Sequence, residues 1–331
     1  MYLWIPTVLS EGLWEPYVSQ ERVSENMKLN GKPLSIKHQD YLAGYAFVLP
    51  ILIMMGIWFY YPAIKSLLFS FQEVHFFSLN NPTPNGLENF RELFKDQQFR
   101  QATTNTLFIT LVSVPILLIG GFIIAYAIEN VFIGKTVLRT LFFIPAVTSA
   151  VALTMSLMYL FVMNGAIPTF FHTVFKVPNV TWGADPRTAL VFVAILVIWK
   201  NLGLFIILYI NAINNIPHEI FEAAAIDGAK GFKQIRLIVI PLVRNTTVLS
   251  FILSVMWCMQ TFDEPFTLAR SGNVIGSPAG TTSTIITFFY SQNFRFFRPG
   301  YASAAACLLF VVLLVFSLTQ NVIERRMGGE Q

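Results

Sequence analysis

Six stretches of the chain are long, apolar and nearly free of charge: Ala43–Ile64, Asn105–Ile128, Thr140–Met163, Thr188–Ile213, Asn245–Phe262 and Pro299–Ile323. About 20 such residues cross a bilayer as a helix. The pattern predicts an all-α integral membrane protein with six transmembrane helices, spanning about 43–64, 105–128, 140–163, 188–213, 245–262 and 299–323. Polar segments separate them. Residues 1–42 read as an N-terminal tail and 324–331 as a short C-terminal one. Residues 65–104 hold a turn-rich break, Asn81-Pro-Thr-Pro-Asn-Gly86, and then a surface helix over Leu87–Phe99 with Phe90, Leu93 and Phe94 apolar. Residues 164–187 read as a loop with Phe170, Phe171 and Phe175 at the membrane interface. Residues 263–298 read as a Gly/Ser/Pro turn region followed by a short helix over Thr281–Tyr290.

The polar segment 214–243 has the most internal order. Asn215 is a plausible helix cap, Pro217 suits a first turn, and Glu219 and Glu222 favour the positive helix end. Ala223, Ala224 and Ala225 keep one face thin, and Gly228 permits a left-handed turn. A second helix follows, with Phe232, Ile235 and Val239 on one side and Lys230, Lys233 and Arg236 on another. Pro241 marks the return to the membrane. The expected product is an L-shaped projection able to sit in a groove of another protein.

Composition agrees with a membrane protein: 55% hydrophobic residues, 12% charged and a mean hydropathy of +0.60. The net charge of +4 is scattered through loops, which argues against nucleic-acid binding. Cys258 and Cys307 fall in apolar runs and read as small buried side chains. No cleavable signal pattern is present, so the first span serves as the insertion signal; Met27 is an alternative start to Met1. With the N-terminus inside, basic residues divide twelve inside to nine outside. That bias puts both termini and residues 214–243 in the cytosol.

The order Glu222-Ala-Ala, Gly228, Ile238 and Pro241 resembles the cytoplasmic-loop signature of permease subunits in bacterial binding-protein-dependent ABC importers; Ile240 stands where Leu is usual. Asn89-Phe90, Asn105-Thr106-Leu107, Phe142-Phe-Ile-Pro145, Phe262-Asp263 and Gly300-Tyr-Ala-Ser-Ala304 are similar to the sugar-importing branch, and most similar to the larger maltose-type partner without its periplasmic insertion. The resemblance covers roughly 86–326 and implies a type I ABC importer permease (MetI-like) fold over 43–323, with a coupling loop at 214–243, in the bacterial inner membrane. Its implied partners are a second permease subunit, two ATPase subunits and an extracytoplasmic sugar-binding protein. It implies no cofactor on this chain, ATP and Mg being bound by the ATPases. Glu222, Ala223, Ala224, Asp227, Gly228 and Pro241 are the implied coupling residues.

A search for an engine in the chain fails. Gly134-Lys135-Thr136 looks like the end of a phosphate loop, but Glu129 occupies the position of the required first Gly. His38, His75, His172 and His218 have no ligand spacing. The expected spans hold no paired carboxylates. The chain is therefore read as a transport subunit and not an enzyme. Lys200 is the one charge expected at mid-membrane, where insertion costs about +2.5 to +3.5 kcal/mol. It reads either as a tether to carbonyls or to an acid of the companion permease, or as a pathway cation for an acidic, uronate-type sugar. The resemblance implies a sugar path along Trp199, Lys200, Asn201, Leu204, Ser254, Cys258 and Thr261; two Asn of the maltose site correspond to Cys258 and Thr261, so maltose itself is doubtful. The alternative is an ion-coupled secondary sugar transporter, which requires midplane acids or broken helices; a third class is a non-transporting scaffold.

Overall fold

The computed structural model describes residues 36–74, 82–131, 133–176, 178–270, 276 and 278–328. Most of the expected N-terminal tail, including Met27, together with His75, Asn81 and the last three residues, lies outside the described residues. In chain order the helices are α1 (Ile36–Met55), α2 (Tyr61–Phe69), α3 (Glu88–Lys95), α4 (Gln97–Glu129), α5 (Lys135–Val147), α6 (Ala150–Leu160), α7 (Ala166–Phe175) and α8 (Ala189–Asn214). They continue as α9 (His218–Ile226), α10 (Phe232–Gln234), α11 (Ile240–Leu242), α12 (Arg244–Met259), α13 (Asp263–Arg270), α14 (Ile285–Phe294) and α15 (Pro299–Gly328). A two-residue ribbon pairs β1 (Gln72–Glu73) antiparallel with β2 (Thr83–Pro84). The described residues divide into two compact units between Ile64 and Lys65. In the first, α1 exposes Tyr41 and its apolar side chains from Tyr45 onward.

Among the described residues four helical segments are long and apolar enough to cross a membrane unaided: Gly44–Phe69, Gln97–Glu129, Ala189–Asn214 and Pro299–Gln320. Two bent pairs bring the total to six if each is one span: α5 with α6, at 104°, and Phe232–Leu242 with Arg244–Ala269, at 69°. The expected third span, 140–163, is therefore not one rod. Thr148 and Ser149 are both extended (ψ 144° and 130°) just after Pro145, and the ladder stops there. The 245–262 segment also differs: the helical path runs on through α13, in a stretch expected to be irregular. Residues 164–187 contain α7, and the expected 281–290 helix starts later, at Ile285, because Thr284 and Thr287 form the capping box there.

The long surface helix expected over 87–99 is cut at Asp96. Its carboxylate accepts the Gln98 N–H at 2.7 Å and starts α4 eight residues before the expected 105. Two π-helical turns, Gly56–Tyr60 and Ile235–Val239, each end two residues before a proline, Pro62 and Pro241. The proline ring clashes with the carbonyl four residues back, at Trp58 and Leu237, and a widened turn relieves the clash.

The core of the second unit is α4 packed against α8. Ile109, Leu117 and Ala125 from one meet Phe192, Leu196, Phe205, Ile206 and Tyr209 from the other, and all are buried. α5 closes on the same helix at Gly203, where an added Cβ would collide with the Phe142 carbonyl and sit 3.0 Å from Phe143 Cα. Polar pairing ties the outer parts together. Asn105 Nδ2 donates to the Gly280 and Ser283 carbonyls (3.2 and 2.9 Å), and Thr106 Oγ1 accepts the Ile285 N–H at 3.0 Å. Asn89 Nδ2 donates to the Ser70 and Gln72 carbonyls (3.0 and 2.9 Å). Arg298 donates to both oxygens of Glu92 (2.8 and 2.6 Å) and lies over the Tyr301 ring, whose hydroxyl donates to Asp96 at 2.8 Å.

Gly203→Ala should lower the unfolding midpoint of the purified protein, by about 1–3 kcal/mol of stability, because the interhelical backbone contact has no slack. Gly120→Ala, whose Cβ would find its nearest neighbour 3.7 Å away at Leu202, should leave the midpoint unchanged. Equal midpoints for the two variants would refute the tight α5–α8 approach.

Candidate functional site

A cavity of about 280 Å³ opens between the middle of α8 and the corner joining α12 to α13. Val197, Lys200 and Asn201 line it from α8; Trp257, Gln260, Thr261, Phe262, Asp263 and Glu264 line it from the corner. Lys200 Nζ donates to Glu264 Oε1 at 2.9 Å and lies 3.8 Å from Asp263 Oδ2. Glu264 is 4% exposed at its side chain, Lys200 23% and Asp263 58%. Burial of this kind strips both partners of water, so the pair is held by its geometry as much as by its charge.

Three of the expected pathway residues meet here: Lys200, Asn201 and Thr261. Asn201 Nδ2 donates back to the Val197 carbonyl at 2.8 Å, leaving its oxygen as the free end. Thr261 is buried and donates to the Cys258 carbonyl at 2.9 Å. The others are elsewhere. Trp199 is 49% exposed but outside the lining, and Leu204 is half-buried further down α8. Ser254 is buried and donates to the Phe251 carbonyl at 2.9 Å, and Cys258 is fully buried.

Lys200 finds one partner, Glu264, within its own chain, 64 residues on. Asp263 and Glu264, which lie just past the expected 245–262 span, belong to the bent fifth segment, which runs on to Ala269. Asp263-Glu264 follows directly on an apolar run. That position was the available signal for a partner to Lys200. Among the described residues no group of three or more His, Cys, Asp or Glu is placed to hold a metal ion.

The second feature is the elbow between α8 and α12. The Pro217 backbone is extended (φ −55°, ψ 137°) and occupies the N-cap position of α9, whereas Asn215 ends α8 and caps nothing downstream. At the other end the Ala229 N–H bonds the Ala224 carbonyl (2.8 Å), the Gly228 N–H bonds that of Ala225 (3.3 Å), and Gly228 has φ +75°. These bonds form a Schellman ending, which requires the left-handed residue that glycine supplies. Ala224 is buried beneath the elbow, while Glu222, Ala223, Asp227, Gly228 and Pro241 are exposed. The expected apolar side is split: Val239 is fully buried, Ile235 partly so, and Phe232 is 74% exposed. Ile226, Phe232 and Leu237 stand out on a surface that also carries Lys230, Lys233 and Arg236.

The turn holding Gly134-Lys135-Thr136 is also explained. Glu129 accepts from Lys135 and from Arg139, while Gly134 takes φ +86°. The carboxylate that rules out a phosphate loop clamps the α4–α5 turn.

Lys200→Met should destabilise the protein by about 3–5 kcal/mol, since it leaves Glu264 buried without its counter-charge. The double variant Lys200→Met/Glu264→Leu should recover most of the loss. Unfolding midpoints in detergent read both; no recovery in the double variant would mean that the pair is not the relevant partner set.

The sequence profile described as "Binding-protein-dependent transport system inner membrane component" matches residues 94–329. The chain is 29% identical over 290 residues to the probable ABC transporter permease protein YurN of Bacillus subtilis, covering 86% of this chain and 96% of that one. It is 29% identical over 287 residues to the lactose transport system permease protein LacF of Rhizobium radiobacter, covering 86% and 94%. A chain in the crystal structure of a bacterial alginate ABC transporter in complex with alginate pentasaccharide-bound periplasmic protein shares the fold, with a TM-score of 0.72 at 23% identity over 88% of this chain and 96% of that chain. The all-α MetI-like permease fold expected from the sequence is the fold found, and the protein is a multi-pass inner-membrane transport component. By a profile match over most of its length, the chain belongs to the binding-protein-dependent transport system inner membrane component family.

Proposed function

We propose that the chain is one of two permease subunits of an ATP-driven importer and forms part of the path of a sugar or oligosaccharide delivered by an external binding protein. One observation carries this reading. The same two helices bound the elbow and the cavity: α8 carries Lys200 and Asn201 and ends at Asn214, before the break at Pro217 that precedes α9, while α12 starts after the elbow at Arg244, carries Trp257 and ends at Met259 beside the cavity-lining Gln260. A displacement of the elbow reaches the cavity walls through these two helices.

In this reading residues 214–243 face the cytosol, as do both termini. The exposed face of Glu222, Ala223, Asp227 and Gly228, with Ile226 and Phe232 beside it, docks on an ATPase subunit that binds ATP and Mg. Apolar side chains of this size, exposed beside charges, are the material of protein interfaces. Closure of two ATPase subunits moves the elbows as rigid bodies and changes the side from which the cavity opens. Pro241 and the π turn before it set the angle at which α12 enters the membrane.

The ion-coupled alternative gains support from Asp263 and Glu264, acids of the kind it requires. Uptake that persists in vesicles depleted of ATP would select it. Glu222→Lys separates the two: in the reconstituted complex it should reduce substrate-stimulated ATP hydrolysis to the basal rate with membrane insertion intact. Full stimulation in this variant would remove the docking role from the elbow.

A further inference from the structure

We propose that the cavity between α8 and the α12–α13 corner rejects anionic ligands and accepts an uncharged, hydroxyl-rich ring, with Asp263 as the acceptor for ring hydroxyls. This rests on the reading of the cavity as part of the transport path. Its volume of about 280 Å³ lies at the lower edge of small-ligand sites, which run from about 300 to 1,000 Å³. It therefore holds a ring or so of an oligosaccharide at a time and not the whole molecule.

The wall charges decide what that ring can carry. One ammonium faces two carboxylates, so Lys200, Asp263 and Glu264 together sum to −1. Lys200 is shared: one of its three N–H groups goes to Glu264, almost wholly buried, at 2.9 Å. A carboxylate or phosphate entering the cavity would compete with buried Glu264 for its one counter-charge, and it would approach Asp263 at the same time. Both costs have the same sign, and low-dielectric walls amplify them.

Neutral hydroxyls meet the opposite situation. Asp263 is 58% exposed and its Oδ2 lies 3.8 Å from Lys200, beyond hydrogen-bond reach, so its carboxylate can accept from a pair of hydroxyls. The Asn201 side-chain oxygen is a further acceptor; one N–H of its amide goes to the Val197 carbonyl. The Gln260 side chain, which both donates and accepts, lines the same wall. Trp257 is 41% exposed and braced edge-on by Phe205 (6.0 Å), which leaves an aromatic face for the C–H side of a ring.

The test reads the field of the cavity directly, in the complete reconstituted importer with Cys258→Ala, Cys307→Ala and Gln260→Cys. The introduced thiol is labelled with an uncharged and with a sulfonate-bearing methanethiosulfonate, each rate being divided by that for a free small thiol. The anionic reagent should be slower by about tenfold or more, and Asp263→Asn in the same background should shrink that ratio several-fold. An anionic rate equal to or above the neutral one would overturn the proposal. Uptake measured on the labelled protein keeps the two readings apart: labelling that leaves uptake untouched would take the cavity off the path while the charge preference stood.

Discussion

Inside a hydrocarbon layer every buried polar group must find its partner within protein, because water is not there to supply one. Much of this molecule follows from that constraint. Asn105 and Thr106 lie early in α4 and satisfy the backbone around the start of α14, where the chain would otherwise present bare carbonyls and an unmet N–H. Thr284 spends its hydroxyl on the Thr261 carbonyl at 2.8 Å, at the point where α12 has ended and α13 has not begun. Lys200 and Glu264 are the charged instance of the same rule. Each makes the other tolerable, and the pair thereby fixes the spacing of α8 and the α12–α13 corner.

The same constraint explains where the helices break. A proline or an extended pair interrupts the ladder, and each break here is made good locally. Thr148 Oγ1 bonds the Ile144 carbonyl at 2.8 Å at the α5–α6 bend, and π turns absorb Pro62 and Pro241. The elbow uses the Schellman ending in place of a side-chain cap, so Gly228 is needed for its φ and Ala224 for the carbonyl it offers inward. What remains outward is a short surface of acid, alanine and exposed apolar groups at the junction of two helices that both reach the cavity.

Small residues matter as much as polar ones. Gly203 lets the α5 backbone rest on α8, and Gly121 lies against Phe205, whose Cβ an added methyl would meet at 3.1 Å. Gly300 does the same beside the ribbon, where a Cβ would be 3.2 Å from the Val74 nitrogen, and Ala302, Ala304 and Ala305 follow it fully buried. The contacts at Gly203 and Gly300 are backbone to backbone, so they transmit rigid displacement with little side-chain slack.

Local properties were legible in the chain itself. Apolar run length showed the helical, membrane-crossing class; the Glu222 to Pro241 spacing showed an elbow with a left-handed glycine; Glu129 ruled out a phosphate loop. Each depends on residues close in sequence, where propensity and sterics act directly. Contacts between distant segments were not legible. The partner of Lys200 is 64 residues away. The exposure of Phe232 depends on which surfaces neighbouring helices cover. Whether a lone intramembrane lysine is a free cation or half of an ion pair is a question of distance in space, and only packing of α8 against the α12–α13 corner decided it.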